Sequence, residues 1–358
     1  MNVHTERKLI NGAHSIGLGA IAAGCRYFAG YPITPQTELL EYMSQALPQS
    51  GGVFQQLNDE ISSIMACFGA SAAGARAMTA SVGPGLTLMI DGIANAAGAE
   101  LPMVIGVLTR AHVGVSSGLL PAQSDIRMLK GGGNGDYHIP ILVPASCQEA
   151  AELTFDAFYL AEKYLTPVFV AIDGVMANMM ETVSFDPSSR LQNDTLPYRP
   201  TLKEQSDCSV MISSYFTPDI DTYTCFRLQE KYQKMKEQES RFEGYMLEDA
   251  DYIIVAFGVM ARIAKQVVQL ARDNGIKLGL FRPITIFPFP EKQLYEFAKK
   301  ARGILVTEMN FGQILIDVKL AVSGICPISF YGHPAEPIIP TTLLEQVKNL
   351  AAKGKTDV

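Results

Sequence analysis

Residues 167–173 read PVFVAID, a run that is apolar and β-branched almost throughout. A strand with one face in water alternates polar and apolar residues. An uninterrupted apolar run is expected instead of a strand buried on both faces, as in a parallel sheet covered by helices. Immediately upstream, Cys147–Lys163 carries a helical pattern. The alternation continues back to residue 7, with helix-like stretches at Leu9–Ala23, Thr37–Ala46, Asp59–Ala73 and Leu86–Gly98. Strand-like runs lie between them at Gly52–Leu57, Arg76–Ala80, Pro102–Leu108 and Ile139–Val143. This order predicts an α/β fold with a mainly parallel sheet.

Downstream of residue 184 the texture changes. Residues 185–224 are polar and proline-interrupted, and a charged helical stretch, Phe226–Phe242, is expected to be solvated on most faces. Alternation resumes with strands Tyr252–Phe257, Lys277–Phe281, Ile304–Thr307 and Pro327–Tyr331 and helices Ala261–Arg272, Glu291–Ala301 and Thr341–Ala351. The expected division is a first domain over 1–184, a linker with a charged helix over 185–249, and a smaller α/β domain over 250–358. A length of 358 residues suits two domains.

Composition narrows the function classes. Twenty-nine basic against 36 acidic residues give a net charge of −7, without an electrostatic footprint for nucleic acid. Charged residues make up 18%, below the roughly 25% of average soluble chains, while 48% are hydrophobic. A large subunit interface is the simplest destination for that excess. Long charge-free stretches such as Tyr42–Asn58 and Leu320–Ala335 are broken by polar residues, Gly and Pro. They fall short of the roughly 18 apolar residues of a spanning helix, so no membrane partner is expected. The N-terminal MNVHTERKLI has no apolar core of a signal peptide, and a cytoplasmic location is expected. The six cysteines, Cys25, Cys67, Cys147, Cys208, Cys225 and Cys326, never fall at CxxC spacing. No metal or iron–sulfur ligand set is expected in this chain, and the cysteines read as small apolar residues.

Two familiar motifs fail on context. Gly17-Leu18-Gly19-Ala20-Ile21-Ala22 approaches a dinucleotide fingerprint but sits inside a helical pattern, where close helix packing explains it better. Asp91-Gly92 and Asp173-Gly174 lack the preceding glycine and following asparagine of the GDG…N diphosphate motif.

Four corners are more informative. Gly30-Tyr31-Pro32-Ile33-Thr34-Pro35 stands before a helix at the carboxyl end of a strand, where open α/β sheets bind ligands. Thr34 and Pro35 would also serve as N-cap and first helical residue, the simpler reading from the residues alone. Glu60 opens the next helix, either for the helix dipole or as a buried carboxylate facing a ligand ring. Ser81-Val82-Gly83-Pro84-Gly85 forms a strand-to-helix corner that permits close backbone approach. Arg110 follows a strand and could clamp a carboxylate or form a surface ion pair. The loop behind it, Ala111–Ile126, is Gly/Ser-rich and uncharged up to Asp125, as suits a lid or a subunit contact.

In this order and spacing the corners resemble the α subunit of the thiamine diphosphate-dependent 2-oxoacid:ferredoxin oxidoreductases. The matching segments are GYPITPQTELLEYM at 30–43, NDEISSIMACFGASAAGARAMTASVGPG at 58–85, AGAELP at 97–102, and PAQSD with GGGNGDYH within 121–138. Weaker similarity continues in FRPITIFPFP at 281–290 and TEMNFGQ at 307–313. Within the family the branched-chain (2-oxoisovalerate) type is most similar, then the 2-oxoglutarate type. The resemblance implies a pyrimidine-binding thiamine domain followed by a transketolase C-terminal-like domain. It implies thiamine diphosphate shared with a β subunit that holds the diphosphate and Mg²⁺. Gamma and ferredoxin-like delta subunits would carry the iron–sulfur clusters, with ferredoxin, a 2-oxoacid and coenzyme A as further partners. Glu60 matches the glutamate that bonds N1′ of the aminopyrimidine, and Thr34 and Arg110 match residues that orient the 2-oxoacid. Tyr31, Pro32, Ile33, Thr34, Gly83 and Gly85 match cofactor-contacting positions. The usual Asn-Glu of the first helix is Ala13-His14 here, and the loop after Arg110 lacks the common Gly-Gly-Pro start. A non-redox thiamine-dependent transferase half and a non-catalytic relative are the competing readings.

Overall fold

The computed structural model describes residues 7–111, 120–186 and 218–353. Its elements run β1 (Lys8–Asn11), α1 (Gly12–Ala22), β2 (Tyr27–Gly30), α2 (Thr37–Gln49), β3 (Val53–Gln56), α3 (Glu60–Ala72), β4 (Ala77–Ser81) and α4 (Gly83–Gly98). There follow β5 (Met103–Thr109), α5 (Ile126–Gly131), β6 (Ile141–Leu142), α6 (Cys147–Tyr164), β7 (Pro167–Asp173), α7 (Gly174–Asn178) and β8 (Met180–Val183). The remainder comprises α8 (Pro218–Gln238), β9 (Phe242–Tyr245), β10 (Tyr252–Val255), α9 (Gly258–Asp273), β11 (Leu278–Pro283), β12 (Thr285–Phe287), α10 (Glu291–Ala298), β13 (Gly303–Glu308), α11 (Leu315–Val322), β14 (Ile328–Gly332) and α12 (Pro340–Lys353).

Two mainly parallel sheets form the molecule. The first has the order β12-β6-β7-β5-β4-β2-β3, the second β14-β13-β10-β11-β9. At the centre of the first, all seven residues of β5 and of β7 are buried, and their side chains divide between two cores. Val168, Val170 and Ile172 face one core and Phe169 and Ala171 the other. That is the period of two of a strand covered on both sides.

Several elements differ from the sequence expectation. The chain opens on a strand, β1, paired antiparallel with β8, and α1 starts only at Gly12 because Asn11 caps it through the His14 amide at 2.8 Å. The glycines of α1 act in packing. A Cβ on Gly19 would lie 2.1 Å from the Ala151 carbonyl oxygen of α6, and one on Gly12 would lie 2.2 Å from that of Met176. The charged helix α8 starts earlier than expected and, though solvated on most faces, has one stripe packed inward. Tyr232 and Met235 are buried, and Lys231 pairs with Glu100 at 2.9 Å. Most of the segment 185–224 lies outside the described residues, as does Cys208.

The two sheets are tied closely. β12 leaves the second domain to pair antiparallel with β6 at the edge of the first sheet. Arg282 of β11, only 2% exposed, donates to Glu149 of α6 and to Glu243 of β9, each at 2.8 Å from Nη1. Asp173 caps two helices at once, accepting from Met176 of α7 at 3.0 Å and from Val259 of α9 at 3.1 Å. No described helix is long and apolar enough to cross a membrane.

Candidate active site

Every corner singled out in the sequence lies at the carboxyl edge of the first sheet, after β2, β3, β4 or β5. In a parallel sheet that edge collects the loops and helix N-termini, and ligands bind there.

The corner after β2 is not a helix cap. α2 begins at Thr37, its N-cap position is Gln36, and no side chain caps it, so Thr34 and Pro35 precede the helix without serving it. Thr34 is exposed, while Pro32 and Ile33 are half-buried, and Tyr31 is exposed. Arg110 reaches this corner from the end of β5, and its Nη1 donates to the Thr34 carbonyl at 2.8 Å. Arg110 is buried, which removes the surface ion pair as an explanation. Together Thr34 and Arg110 line a cavity of ≈ 300 Å³ with Glu38, Leu120, Pro121 and Gly174. Glu38 accepts from Asn11. Of the loop Ala111–Ile126, residues 112–119 lie outside the described ones. Its two ends meet where the Ala111 amide donates to the Leu120 carbonyl at 3.0 Å.

A second group gathers at the corner after β4. Capping of α3 falls to Asp59, whose carboxylate accepts from the Ser62 amide at 2.7 Å. The Ser62 contacts hold Asp59 below the usual carboxylate range. Glu60 is thereby left for another task. It is 4% exposed, and among the described residues no side chain or amide donates to it. It packs on Gly85, where a Cβ would stand 2.4 Å from Glu60 Oε1 and 2.1 Å from Ser81 Oγ. The buried Ser81 hydroxyl has no hydrogen-bond partner. A carboxylate without a protein donor, packed against a glycine corner, fits the aminopyrimidine edge of thiamine diphosphate, which needs an acceptor and close backbone approach.

Asp125, to which the sequence alone gives no role, links the two groups. Its Oδ2 accepts from the Arg110 amide at 3.2 Å, and its Oδ1 lies against the Gly83 backbone. A Cβ on Gly83 would lie 2.4 Å from Asp125 Oδ1. Burial pushes Asp125 up to about 6 against the Arg110 amide and charge. The visible signal was its place as the first charge after an uncharged loop. Gln123, buried two residues before, was equally unmarked. It bonds Phe257, Met309 and Asn310 of the second domain. Among the described residues no cluster of three or more His, Cys, Asp or Glu could hold a metal ion.

With this geometry in view, the comparisons with known proteins are specific. Residues 18–246 match the family described as pyruvate flavodoxin/ferredoxin oxidoreductase, thiamine diphosphate-binding. Residues 250–336 match pyruvate:ferredoxin oxidoreductase core domain II. A ketoisovalerate oxidoreductase subunit VorB from Methanothermobacter marburgensis is 41% identical over 97% of this chain and 99% of its own length. A 2-oxoglutarate synthase subunit KorA from Archaeoglobus fulgidus is 36% identical over 96% of this chain and 99% of its own. Among solved structures, the 2-oxoglutarate:ferredoxin oxidoreductase from Magnetococcus marinus superposes with a TM-score of 0.86 at 26% identity. The match covers 97% of this chain and 65% of that one.

Proposed function

Because the chain belongs to the pyruvate flavodoxin/ferredoxin oxidoreductase family, we propose that it is the α subunit of a 2-oxoacid:ferredoxin oxidoreductase acting on a branched-chain 2-oxoacid. The net reaction joins the acyl group of the acid to coenzyme A, releases CO₂ and passes two electrons singly to ferredoxin. Residues 1–184 would form the pyrimidine-binding domain, 185–249 the linker and 250–358 the transketolase C-terminal-like domain. A β subunit would supply the diphosphate and Mg²⁺ half of the cofactor site, which suits the missing GDG…N motif. Gamma and delta subunits would carry the clusters.

The observation that carries this reading is Glu60, a buried carboxylate without a protein donor, set against Gly85. Thiamine diphosphate, when bound, supplies the nucleophilic carbon and the electron sink that decarboxylation of a 2-oxoacid requires. Glu60 would hold a proton at N1′ of its aminopyrimidine, with Tyr31–Thr34, Gly83 and Gly85 shaping the surrounding walls. Arg110 would receive the carboxylate common to all 2-oxoacids, its fork oriented by the Thr34 carbonyl. The substrate's side chain would lie along Leu120 and Pro121. Among the described lining residues Arg110 is the cation and Glu38 the anion, so these residues offer no second positive charge for a second substrate carboxylate. That favours an apolar 2-oxoacid over 2-oxoglutarate.

The test is to purify the chain with its native partners and follow ferredoxin reduction with 2-oxoisovalerate, 2-oxoglutarate and pyruvate, with and without coenzyme A. A brown complex that reduces ferredoxin fastest with 2-oxoisovalerate, and only with coenzyme A, is expected. Preference for 2-oxoglutarate sinks the substrate reading. A colourless complex without electron transfer sinks the oxidoreductase reading.

A further inference from the structure

We propose that Asp125 is a positioning residue for this reaction: its carboxylate ties the main chain of Arg110 to the Gly83–Gly85 corner, fixing the substrate arm relative to the wall behind Glu60. The inference rests on the function proposed above and deepens it.

Three observations support it. An Asp directly before a helix ordinarily accepts an amide of the helix's own first turn. Asp125 occupies that position before α5 and makes no such bond. Its carboxylate turns away, Oδ2 accepting from the Arg110 amide at the end of β5 at 3.2 Å and Oδ1 lying against the Gly83 backbone that opens α4. The fit leaves no slack, since a Cβ on Gly83 would lie 2.4 Å from Oδ1. Finally, the residues before it are anchored from the second domain. The Gln123 amide donates to the Met309 carbonyl at 3.0 Å, Asn310 Nδ2 to the Gln123 carbonyl at 2.7 Å, and Gln313 to the Ser124 carbonyl. Asp125 is therefore a fixed post, and the two corners are held against it.

An ionised carboxylate only accepts, so it can hold the Arg110 amide with one oxygen and face the Gly83 backbone with the other, whereas protonation turns one oxygen into a donor. Burial pushes Asp125 up to about 6, so this change falls within an accessible pH range. The charged groups on the elements around it are Arg110 at the end of β5, Glu60 opening α3 beyond the β4–α4 corner, and Arg127 and Lys130 on its own helix. Lys130 is already paired with Asp317 of α11, while Asp173 ends β7 and Glu308 ends β13. Glu308 is pushed by burial up to about 7, so a variant is needed to separate the two.

The experiment compares the assembled complex carrying wild-type chain, Asp125→Asn or Asp125→Glu, measuring kcat and KM for the 2-oxoacid from pH 5 to 8. In the wild type, kcat/KM should fall below about pH 6. Asp125→Asn should raise KM on the order of tenfold, the effect of an amide left without its acceptor, and should lose that acid limb. Asp125→Glu should keep the limb but raise KM, its charge being displaced. A wild-type profile flat from pH 5 to 7 overturns the proposal without any variant. So does an Asn variant with unchanged KM and an unchanged limb. Absence of 2-oxoacid turnover in the wild-type complex would instead overturn the function on which the proposal rests.

Discussion

At the scale of single residues, the site separates tasks that neighbours could have shared. Asp59 serves the helix end and Glu60 does not, although both are carboxylates at the same turn. Glu60→Gln should therefore leave the fold and the assembly intact, because no protein donor is lost and the shape is kept. Turnover should drop roughly 10²–10⁴-fold, the usual worth of a positioned acid–base group. The check is steady-state turnover together with NMR exchange of the C2 proton of bound thiamine diphosphate. Exchange at the wild-type rate would contradict the role given to Glu60. Glu60, Thr34 and Arg110 stand out in the sequence by residue type and by their place at or just beyond strand ends. Capping, the helix dipole and a surface ion pair explain them equally there, and only the family resemblance gives them roles. Asp125 does not stand out, because an aspartate before a helix reads as a cap until the direction of its carboxylate is known. That direction depends on contacts with Arg110 after β5 and Gly83 at the start of α4, which no local pattern around Asp125 shows.

At the scale of elements, the contact of α1 with α6 depends on one absent side chain. Gly19→Ala would set a methyl group 2.1 Å from the Ala151 carbonyl oxygen, and both sides of that clash are backbone. The helices must part, and overpacking of this kind costs about 1–3 kcal/mol. Urea denaturation of the chain should show the loss as a lower midpoint. An unchanged midpoint would mean that the helices do not approach so closely. Long elements such as α6, α9 and β7 were readable because a helix of several turns repeats its apolar face and a doubly buried strand is apolar throughout. β1, β8 and β12 span three or four residues, too few to show a period. They exist because partner strands supply their hydrogen bonds. In α8 the buried stripe Leu228, Tyr232 and Met235 does recur at helical spacing, but the abundant Lys and Glu between obscured it.

At the scale of the whole molecule, buried carboxylates make stability depend on pH. Glu308 accepts from the Ile314 and Leu315 amides, both at 3.1 Å from Oε1, yet burial dominates and pushes it up to about 7. Below its ordinary value near 4.5 both folded and unfolded states are protonated. Between there and about 7 the folded state keeps a proton that the unfolded chain releases, so stability falls as pH rises. Glu308→Gln cannot titrate. The wild-type unfolding free energy minus that of the variant should therefore shrink between pH 4.5 and 8, by on the order of 3 kcal/mol. Chemical denaturation across that range measures it, and a constant difference would show that Glu308 is not raised. The strand β12 has a consequence of another kind. It seals the β6 edge of the first sheet, through pairs such as Thr285 with Leu142, yet it emerges from the ribosome only after β9, β10, α9 and β11. A chain folding in the order of its synthesis must hold that edge open meanwhile, and an uncovered edge is a template for pairing with other chains. A chain cut between β6 and β12 would carry that open edge, and it should aggregate more readily than one that includes residues 285–287.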